Sequence, residues 1–564
     1  MKEWRLQTLR FCFLVFGVLV VFRLFYWQVI SGEKLQALAE SQHFTSEEIQ
    51  ARRGQILTSD EFPLVTNRKA YLIFAQPAQL DMDKAELALR LASVLNPQKI
   101  GETKEEILEK LEREGLVWIP LARKVNRETK EEIEKLEIAG LGFEEEEKRF
   151  YPEGSMSAQM LGFVGQDLGG LDKGYFGIEG FYNRSLEGKP GLHRLEKDAS
   201  GRPILIGETL LEDEIAGRDL KLYLNRSIQF MLEEKLRKGI ERYQAKGGLA
   251  VVMDPSSGAI LAMASFPNFD PAFYATADKN LFSNPVISQT FEPGSIFKPI
   301  VMAAAINEGA ISPEDKCPKC SGPRQIGEYT IKTWDEKYHP DSTMTEILEH
   351  SDNVGMVYVG EKLGGQNLLA YLKNFGIGEE TGIDLEGETT APLRGESQWV
   401  PIDLATVSFG QGVAITPIQI VRAVSAIANG GELLEPHVVA QIKTSDKELV
   451  TKPKVVRRVI TQKTAKIITE MMVAAVERGG KWERPKGYRI AGKTGTAQIP
   501  IAGHYDKEKT IVSFIGFAPA DNPRFVMLVT MREPALTWGS MTVAPLWFEI
   551  SKELFYLLGI PPNF

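Results

Sequence analysis

The chain has 564 residues, too many for one typical domain, so two or three folded units are expected. Its 43% hydrophobic and 25% charged residues are the balance of a globular protein. A formal net charge of −9 argues against a nucleic-acid binder, which would carry a basic face.

Residues 11–30, FCFLVFGVLVVFRLFYWQVI, supply the ~20 apolar residues of a membrane helix. Lys2, Arg5 and Arg10 precede them and favour a cytoplasmic N-terminus over residues 1–10, while Tyr26 and Trp27 suit the far interface. Ala37 and Ala39 form the A-x-A pattern of a cleaved signal. The apolar run exceeds the ~7–15 residues of a signal, and polar residues separate it from those alanines, so an uncleaved anchor is expected. Everything after residue 30 would then lie outside the cytoplasm. Arg23, inside the run, either snorkels toward the outer headgroups or meets a partner membrane protein.

After the anchor, GEKLQALAESQHF reads as an amphipathic helical extension. RRGQILTSDEFPLVTN (52–67) has the alternation and turn residues of a hairpin. From 83 to 141 the pattern is helical and charged. TKEEILEKLERE and ETKEEIEKLEIAG place apolar residues at helical spacing, with Glu and Lys on the other face. Glu144 to Glu147 read as a solvated edge. Residues 149–210, rich in glycine and aromatics, suit a β-rich region with tight turns. NRSIQFMLEEKLRKGIERYQA (225–245) is a capped amphipathic helix. GGLAVVMDPSSGAILAMAS then gives two apolar strands joined by a turn at Asp254-Pro255-Ser256-Ser257-Gly258. A helix feeding such a hairpin begins a sheet with helices packed on it, so a second domain is expected to start near 220.

FEPGSIFKPI (291–300) sets Ser295 and Lys298 three positions apart in an apolar stretch. The plain reading is a turn followed by a helix with a snorkelling lysine. The chemical reading is a nucleophile with its base: side chains at i and i+3 share a helix face. A helix N-terminus offers N–H groups to a developing anion, and apolar surroundings make an amine a better base. A second Ser-x-x-Lys, Ser31 to Lys34 at the membrane exit, suggests no chemistry. CPKC, with Cys317 and Cys320, reads as a local disulfide in an oxidising compartment. Unpaired thiols stay open. Zinc fits poorly, since it needs about four ligands and His339 and His350 stand at no diagnostic spacing. HSDNVGM adds Ser351 and Asn353 around Asp352 on a short turn. AGKTGTAQ adds Lys493, Thr494, Gly495 and Thr496 ahead of apolar strands. That cation and those hydroxyls can hold a substrate carboxylate, and the glycine lets a ligand lie against the strand.

The order Ser-x-x-Lys, Ser-Asp-Asn, Lys-Thr-Gly is the signature of β-lactamases and penicillin-binding proteins. The anchor and the roughly 190 residues before the catalytic half do not suit a β-lactamase. They resemble the pedestal of class B penicillin-binding proteins in ARRGQILTSDEFPLVTN, RFYPEG and GIEGFYNRSLEG…EKDASGRP. The catalytic half continues the resemblance in SFPNFDP, FGQGVAITPIQIVRAVSAIANGGELLEP and SFIGFAPADNPRFVMLVTMREP. No glycosyltransferase-like segment precedes it, which speaks against class A. EPGSIFKP and GIDLEGE look closer to the septal, division-specific type than to the elongation type. The segment before Lys493 departs from the pattern: Lys481 and Trp482 stand where relatives more often carry a small threonine-containing segment.

The resemblance implies an α+β, α/β multidomain fold. Its parts would be a cytoplasmic N-terminus (1–10), a transmembrane anchor (11–30), an elongated mixed pedestal (31–220) and a transpeptidase domain (221–564) with an antiparallel sheet covered by helices. It implies Ser295 as nucleophile, Lys298 as base, and Ser351 and Asn353 as proton relay and peptide holder. Lys493 and Thr494 would hold the carboxylate, beside Gly495, with backbone N–H groups of Ser295 and Thr496 as oxyanion hole. It implies no cofactor and no metal. Expected partners are peptidoglycan stem peptides on lipid-linked precursor strands, β-lactams, and a membrane-embedded glycan polymerase. The catalytic domain would face the periplasm from the cytoplasmic membrane. An elongation-type transpeptidase and a D,D-carboxypeptidase remain alternatives. So does a non-catalytic scaffold or β-lactam sensor, against which the intact motifs and the ten residues before the anchor speak.

Overall fold

The apolar N-terminal run folds as a helix, Lys2–Phe25, continued by a π-helical turn at Tyr26–Ile30. The span Glu3–Ile30 is long and apolar enough to cross a membrane, and none of its most apolar stretch is buried in the protein. The Arg23 guanidinium lies 5.0 Å from the Trp27 ring and 5.7 Å from that of Tyr26. This computed structural model describes residues 2–36, 44–113, 115–167, 170–196, 209–444, 447–501 and 504–562. Ala37, Ala39 and most of EKDASGRP lie outside the described residues. The described part of the helical extension after the anchor is helical through Gln36.

The chain divides into two compact units. Met1–Arg53 with Glu187–Gly217 holds the apolar helix and a three-stranded antiparallel sheet, in the order Phe44–Ile49, Gly191–Glu196, Thr209–Glu212. Gly54–Leu186 with Arg218–Phe564 holds all that follows.

The hairpin expected over 52–67 is present: Ile56–Leu57 pairs antiparallel with Pro63–Ala75, and Thr58 Oγ1 accepts from Phe62 N across the turn at 2.9 Å. The second strand runs on to pair with Ile119–Val125 and Leu141–Phe150. The charged stretches are helices, Ile100–Glu112 and Arg127–Glu134. With Lys84–Leu95 they close over a core of Leu87, Leu91, Ile107, Leu111 and Ile133. The strand Ile119–Val125 interrupts the predicted helical region. Its alternating burial at Ile119, Leu121 and Val125 shows why period two wins there. Glu144 to Glu147 lie on an edge strand and are only partly solvated, since Glu146 turns against Arg123 and Lys124 N.

The predicted β-rich region differs more. Residues 149–186 are mainly short helices, Ala158–Leu161, Gly177–Phe181 and Asn183–Leu186, around one two-stranded ribbon. Helices of four or five residues leave no periodicity to see, and the glycines mark their ends. These helices dock through buried charge. Arg149 donates to Glu179 at 2.7 Å with both side chains buried. Asp384 accepts from Val438 N, Val439 N and the Tyr182 hydroxyl at 2.6, 2.9 and 2.9 Å. Asp384→Ala would leave those donors without an acceptor. At ~1–3 kcal/mol for each buried orphan, the variant should lose about 3 kcal/mol or more in urea unfolding. A loss under about 0.5 kcal/mol, the usual effect of a surface change, would mean that this joint does not hold the fold.

The catalytic-half sheet has five strands in the order Ile260–Phe266, Gly247–Met253, Phe525–Arg532, His504–Ala518, Ala491–Ile501, all antiparallel. Helices Arg226–Tyr243 and Val543–Leu557 pack with Ala250 and Val252 on one face. Helices Lys298–Asn307 and Pro417–Ala428 pack with Val251 and Met253 on the other. Both faces are covered, so Gly247–Met253, Ile260–Phe266 and Phe525–Arg532 read as largely apolar runs. The two edges differ. Along Ile260–Phe266, Gln229 imitates a neighbouring strand: its Nε2 donates to Met263 O at 2.8 Å and its Oε1 accepts from Met263 N at 2.9 Å. The opposite edge, Ala491–Ile501, borders the candidate site.

Candidate active site

The turn carrying Ser295 is set by its neighbours. Gly294 has φ +56°, a left-handed value open to glycine. Gly294–Phe297 is one 3-10 turn, and the α-helix begins only at Lys298, running to Asn307. The sequence predicted an α-helix from the serine onward. In a 3-10 turn i and i+3 eclipse, which still keeps 295 and 298 on one side. Gly294 N donates to Gly410 O at 2.9 Å, and Gly412 N to Glu292 Oε1 at 3.0 Å, pinning the turn to the FGQG segment.

Lys298 is fully buried. Its Nζ donates to Ser351 O at 2.6 Å, Asn353 Oδ1 at 2.7 Å and Ser351 Oγ at 3.3 Å, and none of these bonds goes to Ser295. Burial first, then the positive charge of Lys493, hold Lys298 well below the ordinary lysine range, against the pull of Asp352. Ser351 has φ +53°, uncommon for a residue other than glycine. It forms the joint between helix Met344–Glu349, started by a Thr343–Glu346 capping box, and helix Asn353–Leu363. Asp352 caps the second helix through Val354 N and Gly355 N at 2.7 and 3.1 Å, which explains the aspartate between serine and asparagine. Cys317 and Cys320 are joined in a disulfide, and Cys317 N donates to Ser342 O at 2.9 Å, just before that capping box.

Lys493, Thr494, Gly495 and Thr496 lie on the edge strand. A Cβ on Gly495 would stand 2.9 Å from Ile296 Cγ2 and 3.1 Å from Pro293 O, so glycine alone lets the strand pass this close to the nucleophile turn. Lys493 is 4% exposed, and its Nζ donates to Thr494 O at 3.1 Å. Among the described residues no carboxylate pairs with it. Burial lowers it to about 7.

One cavity of about 200 Å³ is lined by every predicted site residue except Lys298, which reaches it through Ser351 and Asn353. Among its walls, Trp334, Glu349 and Trp538 carry no motif and escape a reading of the sequence, whereas Phe409 opens FGQG and Trp482 stands in the departing segment. Trp334 and Trp538 meet edge to face at 5.1 Å, and Trp334 Nε1 donates to His350 O at 3.1 Å. Glu349 is held by Arg478 at 2.9 Å.

Residues 248–552 match the penicillin-binding protein transpeptidase domain, and residues 48–222 the penicillin-binding protein dimerisation domain. Stage V sporulation protein D of Bacillus subtilis (strain 168) is 36% identical over 565 residues, covering 98% of this chain and 86% of that protein. The peptidoglycan D,D-transpeptidase FtsI of Escherichia coli (strain K12) is 29% identical over 567 residues, covering 100% of this chain and 93% of its own. A peptidoglycan synthetase of Bifidobacterium adolescentis has a solved structure with a TM-score of 0.73 at 28% identity, covering 92% of this chain and 98% of that one. The sheet edge, the Ser295 turn and two buried lysines meet around this one cavity. The chain belongs to the class B penicillin-binding proteins and carries their transpeptidase domain. Its apolar N-terminal helix fits a single-pass membrane protein.

Proposed function

We propose that the protein is a peptidoglycan D,D-transpeptidase that cross-links stem peptides in septal wall synthesis. The observation that carries this reading is geometric: Ser295, Ser351, Asn353, Lys493, Thr494 and Thr496 line one cavity, with buried Lys298 bonded to Ser351 and Asn353 behind it. Burial holds Lys298 well below the ordinary lysine range and lowers Lys493 to about 7. It favours the neutral amine of Lys298, the form that accepts a proton, while Lys493 still carries part of its charge near neutral pH.

Ser295 Oγ attacks the carbonyl carbon between two D-alanines, and its proton passes to the lone pair of neutral Lys298. Backbone N–H groups of Ser295 and Thr496 hold the oxyanion, an element worth ~10²–10³ in rate. The proton then moves by way of Ser351 to the departing D-alanine nitrogen as the C–N bond breaks. Asn353 holds the peptide, Lys493 and Thr494 its terminal carboxylate, and Gly495 leaves room for it along the strand. An amine of a neighbouring stem attacks the acyl-enzyme. It gives up a proton through the same groups, and Ser295 Oγ leaves protonated. A β-lactam acylates Ser295 in place of the stem.

In this reading residues 11–30 anchor the chain in the cytoplasmic membrane with 1–10 inside. The pedestal (31–220) and the transpeptidase domain (221–564) stand on the periplasmic face. The septal assignment is supported by EPGSIFKP and GIDLEGE and by the likeness to FtsI. Lipid-linked strands would supply the substrate, and a membrane-embedded glycan polymerase would be the partner. The test uses full-length protein in detergent with donor and acceptor stem peptides, products being resolved by mass. A cross-linked peptide with one D-alanine released is expected. Hydrolysis without cross-linking would replace the reading by a carboxypeptidase, and neither turnover nor a penicillin adduct would sink it.

Lys493→Ala should slow acylation by benzylpenicillin roughly tenfold to a hundredfold, the loss of a charge-assisted hydrogen bond of ~1.5–3 kcal/mol, with the melting temperature kept. In the unaltered protein the rate should fall as pH rises through about 7, where Lys493 loses its charge. It should also fall on the acid side, as Lys298 takes up a proton. Stopped-flow acylation against pH checks both limbs. A flat alkaline limb would remove Lys493 from carboxylate recognition.

A further inference from the structure

The FGQG segment lies against the nucleophile turn, and the acyl-transfer steps above leave its glutamine unused. Gly410 and Gly412 have φ +84° and +70°, left-handed values open to glycine. Gly410 O accepts from Gly294 N at 2.9 Å, and Gly412 N donates to Glu292 Oε1 at 3.0 Å. A Cβ on Gly410 would collide with Gly294 O, so only glycine permits this approach. Between the two glycines, Gln411 N donates to Thr406 O at 3.0 Å. The backbone thus fixes Gln411 from both sides, and the residue lines the cavity together with Ser295, Asn353 and Thr496. It is half-buried, and its carboxamide has no hydrogen-bond partner among the described residues.

Its place along the edge strand determines what it would meet. A Cβ on Gly294 would stand 3.1 Å from Thr496 O and 3.4 Å from Ala497 Cβ, so the joint of Gly294 with Gly410 sits at the Thr496–Ala497 part of the strand. Lys493 and Thr494, the holders of the terminal carboxylate, lie toward the strand's other end. A stem with its carboxylate there and its scissile carbonyl at Thr496 N runs on past Ala497 with the residues that precede the two D-alanines. A carboxamide presents a donor and an acceptor, as an amide of the stem does.

We propose that Gln411 is a substrate-binding residue that hydrogen-bonds the donor stem upstream of its D-alanines, at the amide joining the second and third stem residues. The site would then read the stem as well as its terminus. The inference rests on the function proposed above.

The test measures D-alanine release by the full-length protein in detergent from two donors, a stem pentapeptide and N-acetyl-D-alanyl-D-alanine, which lacks that amide. Gln411→Met keeps the side chain's length and removes its amide. In this variant the ratio of kcat/KM for the pentapeptide to that for the short donor should fall roughly three- to tenfold. The loss should appear in the KM of the pentapeptide, because the bond lies away from the reacting carbonyl and is made before and during attack. The bonds that hold the loop come from its backbone, so the melting temperature should be kept. A ratio changed by less than about twofold overturns the proposal. So does an equal loss on both donors, which would mean that Gln411 acts through the nucleophile turn. If Gln411→Met does not fold, Gln411→Ala decides by the same ratio. No release from either donor by the unaltered protein would overturn the proposed function and this inference with it, whereas release from both with an unmoved ratio overturns this inference only.

Discussion

Ser295→Ala is expected to leave no covalent adduct. After incubation with benzylpenicillin the variant keeps the mass of the protein alone, while the unaltered protein gains one drug molecule. In other serine acyl enzymes loss of the nucleophile costs on the order of 10⁶ in rate. The fold should not suffer, because the turn Gly294–Phe297 has no side-chain cap and its shape comes from Gly294 and its backbone bond to Gly410. The cavity holds other hydroxyls, among them those of Ser351 and Thr496. Ser351 is held by Lys298 on a left-handed backbone, and Thr496 by Gly539 N. An adduct mapped to either, or retained in Ser295→Ala, would overturn the assignment of the nucleophile.

Lys298→Met is expected to slow acylation by ~10²–10⁴, the usual worth of a general base, so that the adduct forms but over a much longer time. Methionine keeps most of the buried length. The change removes the donors to Ser351 O and Asn353 Oδ1, which costs stability. It also removes a buried amine, whose desolvation cost is then relieved, so the melting temperature should move little. The acid limb of the pH profile should vanish with the lysine, because that limb is its protonation. A rate loss under tenfold, or an acid limb that persists, would mean that another group takes the proton.

The candidate site residues stand out in the sequence because each is tied to local rules. A turn glycine precedes the serine, a capping aspartate separates Ser351 from Asn353, and a glycine lets the strand of Lys493 approach. The hairpin of 247–266 and the helix before it were legible for the same reason: period and turn residues agree. What could not be read is what distant segments make together. Trp334, Trp482 and Trp538 come from three loops and share no spacing, so only the folded chain brings them to one cavity. Residues 149–186 were misjudged because glycine and aromatic composition marks turns without saying what lies between them.

Edge-to-edge polymerisation of sheets needs two open edges in each molecule. The catalytic sheet offers one. Gln229 occupies both backbone groups of Met263 on the far strand, as a neighbouring chain would. Two copies meeting through the remaining edge would each exhaust their capacity to add another, so association through this sheet stops at a pair and cannot run on into a fibre. That remaining edge is also the one beside Ser295, where an extended peptide can join the sheet as an added strand. A pair formed through that edge would cover the cavity beside Ser295 in both copies.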